Sequence, residues 1–356
     1  MRDHALAAAV RGHRMVVLVD DGPAEDIRGL AKVIEEEDGP LRVFRLSYRP
    51  GAGTLAYLPE VLRLARRLGR DGTPVGVLHA HVHRMGWAAV VAGALLRRPV
   101  VISEHSSEWT THTMSRAALL RARVAFRSAA LVCPVSTSLQ RAIEGHGVRA
   151  RFQVVPNAVD VSVFHPGQVD SRTRATSLVN VGIQVPVKGL DLLVRAFAHV
   201  AGERHDLVLE LVGDGPEAPA LRRLARDLNV ADRVRFSGAA PPEQVAEALR
   251  RSDVFVLSSL SETGPVVVLE ALCSGLPVVS TRVGSAPEAI GADGELTDPG
   301  DVMGLTQAIE RALGRFTDFD RRSIAERAAS RSSLEAVGRQ WDEIYRSLVG
   351  RHSPRR

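Results

Sequence analysis

Glu262 and Glu270 stand eight positions apart in the stretch SSLSETGPVVVLEALCSGLPVVSTRVGSAPE (258–288). Glu262 lies in polar, turn-forming SLSETG, and Glu270 in apolar, helix-compatible VVVLEALCSG. Pro265 suits the first position of a helix, where its missing N–H is least needed and its φ is already helical. Thr263 or Gly264 would then be the N-cap. One carboxylate thus sits in the loop before a helix and the other about a turn and a half inside it. A helix N-terminus gathers unpaired N–H groups and the positive end of the helix dipole, a good setting for a diphosphate. Carboxylates beside such a site are poor phosphate ligands and good acceptors for sugar hydroxyls. The residues point to a nucleotide joined to a sugar, with Gly264 and Val266 at the anion-binding helix start.

Other residues fit the same chemistry. Lys188 opens KGLDLLVRAF, just after a strand and loop, as a point cation at a helix start. Lys32 and Lys188 are the only lysines among 46 basic Lys and Arg residues, so a lysine inside a motif is informative. His105 ends the apolar run PVVISEH (99–105), at the carboxyl end of a strand, where open α/β sheets bind ligands. Glu104 and Ser106 flank it and could face an acceptor. His79, His81 and His83 alternate, so on a strand all three would point to one side. That pattern invites a metal, but no acidic partner is placed nearby. Gly213, Asp214 and Gly215 read as a tight turn after a strand.

The elements that must position these groups alternate. From about 70 to 165 the chain reads strand (75–81), helix (86–97), strand (99–105), basic helix (115–128), strand (130–136), helix, and strand (151–157). Apolar strands alternating with helices make a parallel sheet covered on both faces. Polar PGQVDSRTRAT (166–176) reads as a linker, and a second alternating series runs from SLVNVGI to a helix near 300–314. The expected domains are therefore 1–165 and 166–333. A helix at 334–349 follows, with an apolar face that includes Trp341, Ile344 and Tyr345, and then a disordered tail at 350–356.

The ordered motifs resemble those of family-4, group-1 retaining glycosyltransferases of the GT-B fold. They are HAH (79–81), SEH (103–105), VVPNAVD with Phe164 and Pro166, VKGLDLLVRAF (187–197), LVGDGPE (211–217), RVRFSG (233–238), and S-x-x-E-x7-E with its following A-L-x-S-G-L-P. The resemblance implies two Rossmann-like domains facing a cleft, with the donor in the second and the last helix packed back on the first. It implies sugar transfer from a nucleotide diphosphate-sugar to a glycan, lipid or small-molecule acceptor, by front-face attack and without a metal. Lys188 would meet the donor diphosphate, Glu270 the ribose and Glu262 the transferred sugar; His105 would face the reacting carbon and His81 the cleft wall. Arg235 and Phe236 in RVRFSG would lie by the base, with Gly213 nearby. This chain departs from the pattern at Ile183, where an arginine is frequent, and at Thr263–Gly264–Pro265.

A further departure is at the start. HALAAAVR (4–11) reads as the family's first helix, with only Met1–Asp3 ahead of it. The first strand and its glycine-rich loop are expected to be missing, leaving a hydrogen-bonding edge in the middle of the sheet and weak activity in the chain as written. Two other readings remain: a truncated, non-catalytic nucleotide-sugar-binding or partner protein, or a GT-B epimerase or hydrolase.

The 356 residues suffice for two cores, and a net charge of +5 with interspersed acids and 4% aromatics argues against nucleic acid. The longest apolar run, GWAAVVAGALL (86–96), is short of a bilayer span. Cys133 and Cys273 read as small core residues, consistent with a cytoplasmic protein. Arg63, Arg66, Arg67 and Arg70, with Arg116, Arg121, Arg123 and Arg127, could touch the anionic inner face of a membrane.

Overall fold

The computed structural model describes residues 2–23, 31–49, 57–111, 113–167 and 176–352. The chain divides into two compact units, Met1–Ala158 with Leu334–Arg356, and Val159–Ser333.

The first unit contains α1 (Arg2–Val10), β1 (Val16–Pro23), β2 (Ala31–Asp38), β3 (Leu41–Tyr48), α2 (Tyr57–Arg70), β4 (Leu78–His81), α3 (Val82–Leu96), β5 (Val100–Glu104), α4 (Glu108–Thr111), α5 (Arg116–Ser128), β6 (Leu131–Pro134) and α6 (Thr137–Gly145). Its strands form two three-stranded sheets, in the orders β1-β3-β2 and β4-β5-β6. Helices α3, α5 and α6 cover one face of the second sheet, where Ile102, Phe126 and Ile143 are buried together. On the other face, Ala7 and Ala8 of α1 meet Val101, Cys133 and the C-terminal helix. The run expected as a strand at 151–157 lies parallel to β6: Val132 N donates to Arg151 O at 2.9 Å, Gln153 N to Val132 O at 3.1 Å and Val155 N to Pro134 O at 3.1 Å, around a Val132–Phe152 bridge. The β2–β3 hairpin was not foreseen; Asp38 pairs with Leu41, so Gly39-Pro40 is its two-residue turn, and Gly39 takes the positive φ of 58° that the first position of a type II′ turn requires.

The second unit contains β7 (Thr176–Val181), a 3₁₀ turn (Pro186–Lys188), α7 (Leu190–Glu203), β8 (Leu207–Val212), α8 (Ala218–Asp227), β9 (Val234–Gly238), α9 (Pro242–Arg251), β10 (Val254–Leu257), α10 (Val266–Cys273), β11 (Val278–Thr281), α11 (Ala286–Ile290), β12 (Gly294–Thr297), α12 (Val302–Gly314) and α13 (Arg321–Ser332). One parallel sheet runs in the order β12-β11-β10-β7-β8-β9. Helices α7, α8 and α12 bury one face, and α9, α10, α11 and α13 the other. Strands buried on both faces must be apolar throughout, and β10 and β11 are fully buried.

The boundary expected at 165 falls at 158/159. The Val159 amide donates to Ser332 O at 2.8 Å, and Phe164 is buried in the second unit's core, so 159–167 belong to that unit. Of the expected linker, 168–175 lie outside the described residues. The last helix, α14 (Leu334–His352), belongs to the first unit, where Trp341, Ile344 and Tyr345 are buried. It continues through 350–352, three residues into the expected tail, and 353–356 lie outside the described residues.

α1 and α14 approach closely because Gly338 has no side chain: a Cβ there would stand 2.3 Å from Ala7 O. Gly338→Ala should therefore force the helices apart and cost about 1–3 kcal/mol, the range for overpacking. A lowered midpoint in denaturant titration checks this, and an unchanged midpoint counts against it.

Candidate functional site

In the second unit the chain lays down β7, β8 and β9 in one direction, then returns with β10, β11 and β12 on the other side of β7. The reversal between β7 and β10 is a topological switch point, where loops leave the strand ends in opposite directions and open a crevice. Lys188 comes from the loop after β7, and Glu262 from the loop after β10. Lys188 Nζ donates to Glu262 Oε1 at 2.6 Å, with both side chains partly buried.

Backbone contacts hold the two loops together. Leu260 N donates to Val187 O at 2.8 Å, and Ser258 Oγ to Lys188 O at 2.9 Å. Gly189 sits at φ 57°, and a Cβ on it would stand 2.5 Å from Ser258 O. Ser259 Oγ adds a hydrogen bond to Glu262 Oε1 at 2.8 Å, and Thr281 Oγ1 donates to Ser259 O at 2.6 Å. Gly284 lets the loop after β11 press on the same segment, since a Cβ there would stand 2.7 Å from Thr263 O. Ser259, Thr281 and Gly284 lie within the 258–288 stretch, Ser259 as the serine of S-x-x-E, but none of them was assigned a role from sequence.

α10 starts one residue later than expected. Pro265 is the N-cap rather than the first helical residue, because its ψ of 105° is extended; Val266 opens the helix. Proline fits there, since an N-cap residue needs only its carbonyl, and Val268 N donates to Pro265 O at 3.1 Å. Gly264 lies immediately before this start, and Glu270, half-buried, lies inside the helix.

The ends of β8 and β9 supply a backbone wall. Gly213, at φ 129°, donates to Gly238 O at 2.7 Å, and a Cβ there would stand 2.0 Å from Gly182 O. Gln184 Nε2 donates to Gly213 O at 2.8 Å. Arg235 and Phe236, adjacent on β9, point to opposite faces of the sheet. Arg235 is exposed, 3.9 Å from Glu210, which is held more closely by Arg251 and Ser237. The Phe236 ring packs on the core, with Arg222 stacked 4.4 Å from its centroid. The Phe236 side chain is thus committed to packing. Ile183, at the position where arginine was expected, is exposed.

In the first unit the fully buried Glu104 carboxylate organises two strand ends. Its Oε1 accepts from His105 N at 2.9 Å and Ser106 N at 2.8 Å; its Oε2 accepts from His83 N at 2.7 Å and lies 3.2 Å from His83 Nδ1. Glu104 was expected to face an acceptor; burial corrects that to a structural clamp. The Ser106 hydroxyl accepts from Glu108 N at 3.3 Å, which ties it to the same turn.

The three histidines do not share one side. β4 ends at His81, and Val82 turns the chain into α3 with a φ of 60°, costly for a β-branched residue. His83 is thereby carried onto the helix, 3.1 Å from Glu108 and edge-on to Trp109. Among the described residues no group of three or more His, Cys, Asp or Glu is placed to hold a metal. His79 is bonded on both nitrogens, to Tyr345 Oη at 2.6 Å and Ser103 Oγ at 2.8 Å, and stacks on His81. His4 and His105 each lie with ring centroids 5.9 Å from His81, so four imidazoles are clustered. His4 was missed because an isolated histidine on a helix carries no sequence signal.

Burial pushes His4 and His79 down to about 3, and His81 well below its ordinary value with help from His79 and His4. His105 is also lowered, by burial against the opposing pull of Glu104. All four are neutral at pH 7, whereas the unfolded chain binds protons below about 6.5. Stability should therefore be full above that value and fall as pH drops from about 6.5 toward 3, by up to about 1.4 kcal/mol per pH unit for each group. Thermal melts from pH 8 to 4 check this; a flat profile through pH 6 to 4 contradicts it. Glu104→Gln should leave a strand-end amide facing an N–H donor and cost about 1.5–3 kcal/mol, because the lost hydrogen bonds are to a charge. Chemical denaturation measures it.

Comparison with known proteins agrees with this architecture. The family described as Glycosyltransferase Family 4 matches residues 1–163, and Glycosyl transferases group 1 matches residues 175–315. The chain is 33% identical over 72% of its length to a GDP-mannose-dependent alpha-(1-6)-phosphatidylinositol monomannoside mannosyltransferase of Mycolicibacterium smegmatis, covering 68% of that protein. It is 30% identical over 60% of its length to a phosphatidylinositol N-acetylglucosaminyltransferase component of Arabidopsis thaliana, but that match spans only 48% of the relative. Among solved structures, sucrose-phosphate synthase from Thermosynechococcus elongatus superposes with a TM-score of 0.75 at 23% identity, over 98% of this chain and 92% of that one. Anabaena HepE in complex with UDP and glucose gives 0.73 at 22% identity, over 87% of each chain. With the family matches in both units and a relative matched over most of its length, the chain belongs to the group 1, family 4 glycosyltransferases, of the GT-B fold.

Proposed function

We propose that the chain transfers a sugar from a nucleoside diphosphate-sugar to a hydroxyl acceptor, with retention at the anomeric carbon. The observation that carries this reading is the Lys188–Glu262 pair at the switch point of the second unit, beside the start of α10. Lys188 keeps N–H donors beyond the one given to Glu262, and these meet the diphosphate together with the amides that open α10 near Gly264 and Val266. Glu270 accepts from the ribose hydroxyls, and Glu262 orients the lysine and the sugar. Gly213 lets backbone approach the nucleotide, and Arg235 with the Phe236 backbone flanks the base.

The acceptor oxygen bonds to the anomeric carbon as the bond to the diphosphate breaks, and the acceptor proton passes to the departing phosphate oxygen. Lys188 and the helix start stabilise the charge that develops there. No divalent ion is needed for that step. In the first unit, His105 serves the reacting carbon and His81 the acceptor side, as neutral imidazoles that can accept or donate one hydrogen bond. Relatives named for phosphoinositide and inositol phosphate substrates favour a glycolipid or phosphorylated polyol as acceptor. Work on such an acceptor suits peripheral contact with an anionic inner membrane face. α5 carries Arg116, Arg121 and Arg127 near Leu120 and Val124, which are 62% and 45% exposed. Arg123 is spent on His146 O.

Lys188→Ala and Glu270→Ala should each weaken UDP- or GDP-sugar binding, Lys188→Ala by about 1.5–3 kcal/mol, roughly tenfold or more. Calorimetry with unchanged affinity in both variants would remove the donor-site assignment. Turnover should survive a chelator; its loss and rescue by a divalent ion would contradict the metal-free step. Donor binding without any transfer to added acceptors would instead favour a binding protein. Sedimentation with phosphatidylserine vesicles, weakened in Arg121→Glu, tests the membrane contact.

A further inference from the structure

The Nδ1 of His81, the imidazole assigned to the acceptor side, is buried without a hydrogen-bond partner among the described residues. Packing must therefore orient the ring. His4 and His105 stand off from it, with tilted planes and ring centroids at 5.9 Å. His79 alone lies face to face with it, at 4.6 Å and 21°. The two histidines are two residues apart on β4, so both side chains leave the same face of the strand.

His79 is held at both ends. Tyr345 Oη of α14 lies 2.6 Å from its Nδ1, and Ser103 Oγ of β5 lies 2.8 Å from its Nε2. Tyr345 and Ser103 are both buried, so water does not replace either bond. Burial holds His79 at about 3, and the neutral ring carries one N–H and one lone pair. A phenol is a stronger acid than a serine hydroxyl and hence the better donor. The Tyr345 hydroxyl donates to Nδ1, and Nε2–H donates to Ser103 Oγ. Turning the ring out of this plane breaks both bonds. Trp341, one turn before Tyr345 on the same face of α14, packs on His79 at 4.6 Å and stacks on Tyr345 at 5.7 Å.

We propose that Tyr345 is a positioning residue for sugar transfer: acting through His79, it sets the plane of the His81 ring and so the direction in which His81 meets the acceptor hydroxyl. This role rests on the transfer reading above, and adds to it a helix 266 residues along the chain from His79. The Tyr345 hydroxyl is spent on His79, so it acts on the acceptor only through that ring. The acceptor oxygen must be aimed at the anomeric carbon, and a small error of aim lowers the rate far more than it weakens binding.

Tyr345→Phe removes the hydroxyl and keeps the ring that stacks on Trp341. With GDP-mannose or UDP-glucose as donor and phosphatidylinositol as acceptor, kcat should fall about tenfold or more. The KM for the donor should not change, because the donor is held in the second unit. Ser103→Ala cuts the other end of His79 and should act in the same direction. Asp342→Asn alters the contact of α14 with His13, spares His79, and should leave kcat unchanged. Nitrogen-15 NMR of the imidazoles gives a readout that looser helix packing does not move. His79 should be a single Nε2–H tautomer in the natural chain and a mixture in Tyr345→Phe, with the His81 resonances shifted. Unchanged kcat or an unchanged imidazole spectrum in Tyr345→Phe overturns the proposal, as does an equal loss in Asp342→Asn. A natural chain that shows the single tautomer yet transfers no sugar fails the transfer reading and takes this role with it; transfer that survives Tyr345→Phe undiminished fails the positioning role alone.

Discussion

Strand β7 is hydrogen-bonded on both edges, to β8 and to β10, and the candidate donor site depends on that double pairing. Parallel pairing places the carboxyl ends of all three strands together, and the reversal of strand order at β7 sends the next connections to opposite faces. Lys188 and Glu262, 74 residues apart, are then delivered to one spot. An isolated partly buried lysine and glutamate would each carry a desolvation cost; paired, and with Ser259 on the same carboxylate oxygen, they are stable enough to wait for a ligand. The glycines at 189, 213 and 284 serve the same end, because each lets a backbone carbonyl come closer than a side chain would permit.

The first unit solves its problem with a buried charge. Glu104 replaces hydration with backbone N–H donors from two turns, His83 on one side and His105 and Ser106 on the other. That arrangement fixes the ends of β4 and β5 relative to each other and sustains the unfavourable backbone of Val82. Burial penalises the protonated forms of His4, His79 and His81 and lowers their pKa values; at His105 it outweighs the opposing pull of Glu104. A hydrogen-bonded carboxylate and a cluster of four imidazoles shifted downward, mainly by burial, thus share the first unit.

Much was legible in the sequence. Alternating apolar strands and helices indicated two parallel α/β units, and the motifs at 187–197 and 258–288 carried the family. Parallel strands buried on both faces must be continuously apolar, so they write themselves plainly. Less legible were segments whose role depends on distant partners. The 151–157 run has strand composition, and its backbone bonds to β6 stop at Val155, short of the expected end. The β2–β3 hairpin is rich in charge that pairs across strands, as Arg45 does with Glu36, and so hides its apolar side. The unit boundary moved because Val159 and Phe164 find partners in 332 and the second core, not because of local composition.

The residue types and their order were settled locally: a rare lysine at a helix start, two acids around another helix start, a histidine at a strand end. Which of them meet was decided by tertiary structure. Spacing alone made His79, His81 and His83 look like one row, until the strand ended at His81 and Val82 turned the third away. It made Glu104 look like a ligand-facing acid, until burial surrounded it with amides. The alternation at 75–136 did not say how many sheets would form; among the described residues the first unit's strands divide into two three-stranded sheets. Propensity and periodicity are set over a turn or two of chain, whereas burial and pairing depend on what folds against a segment from far along the sequence.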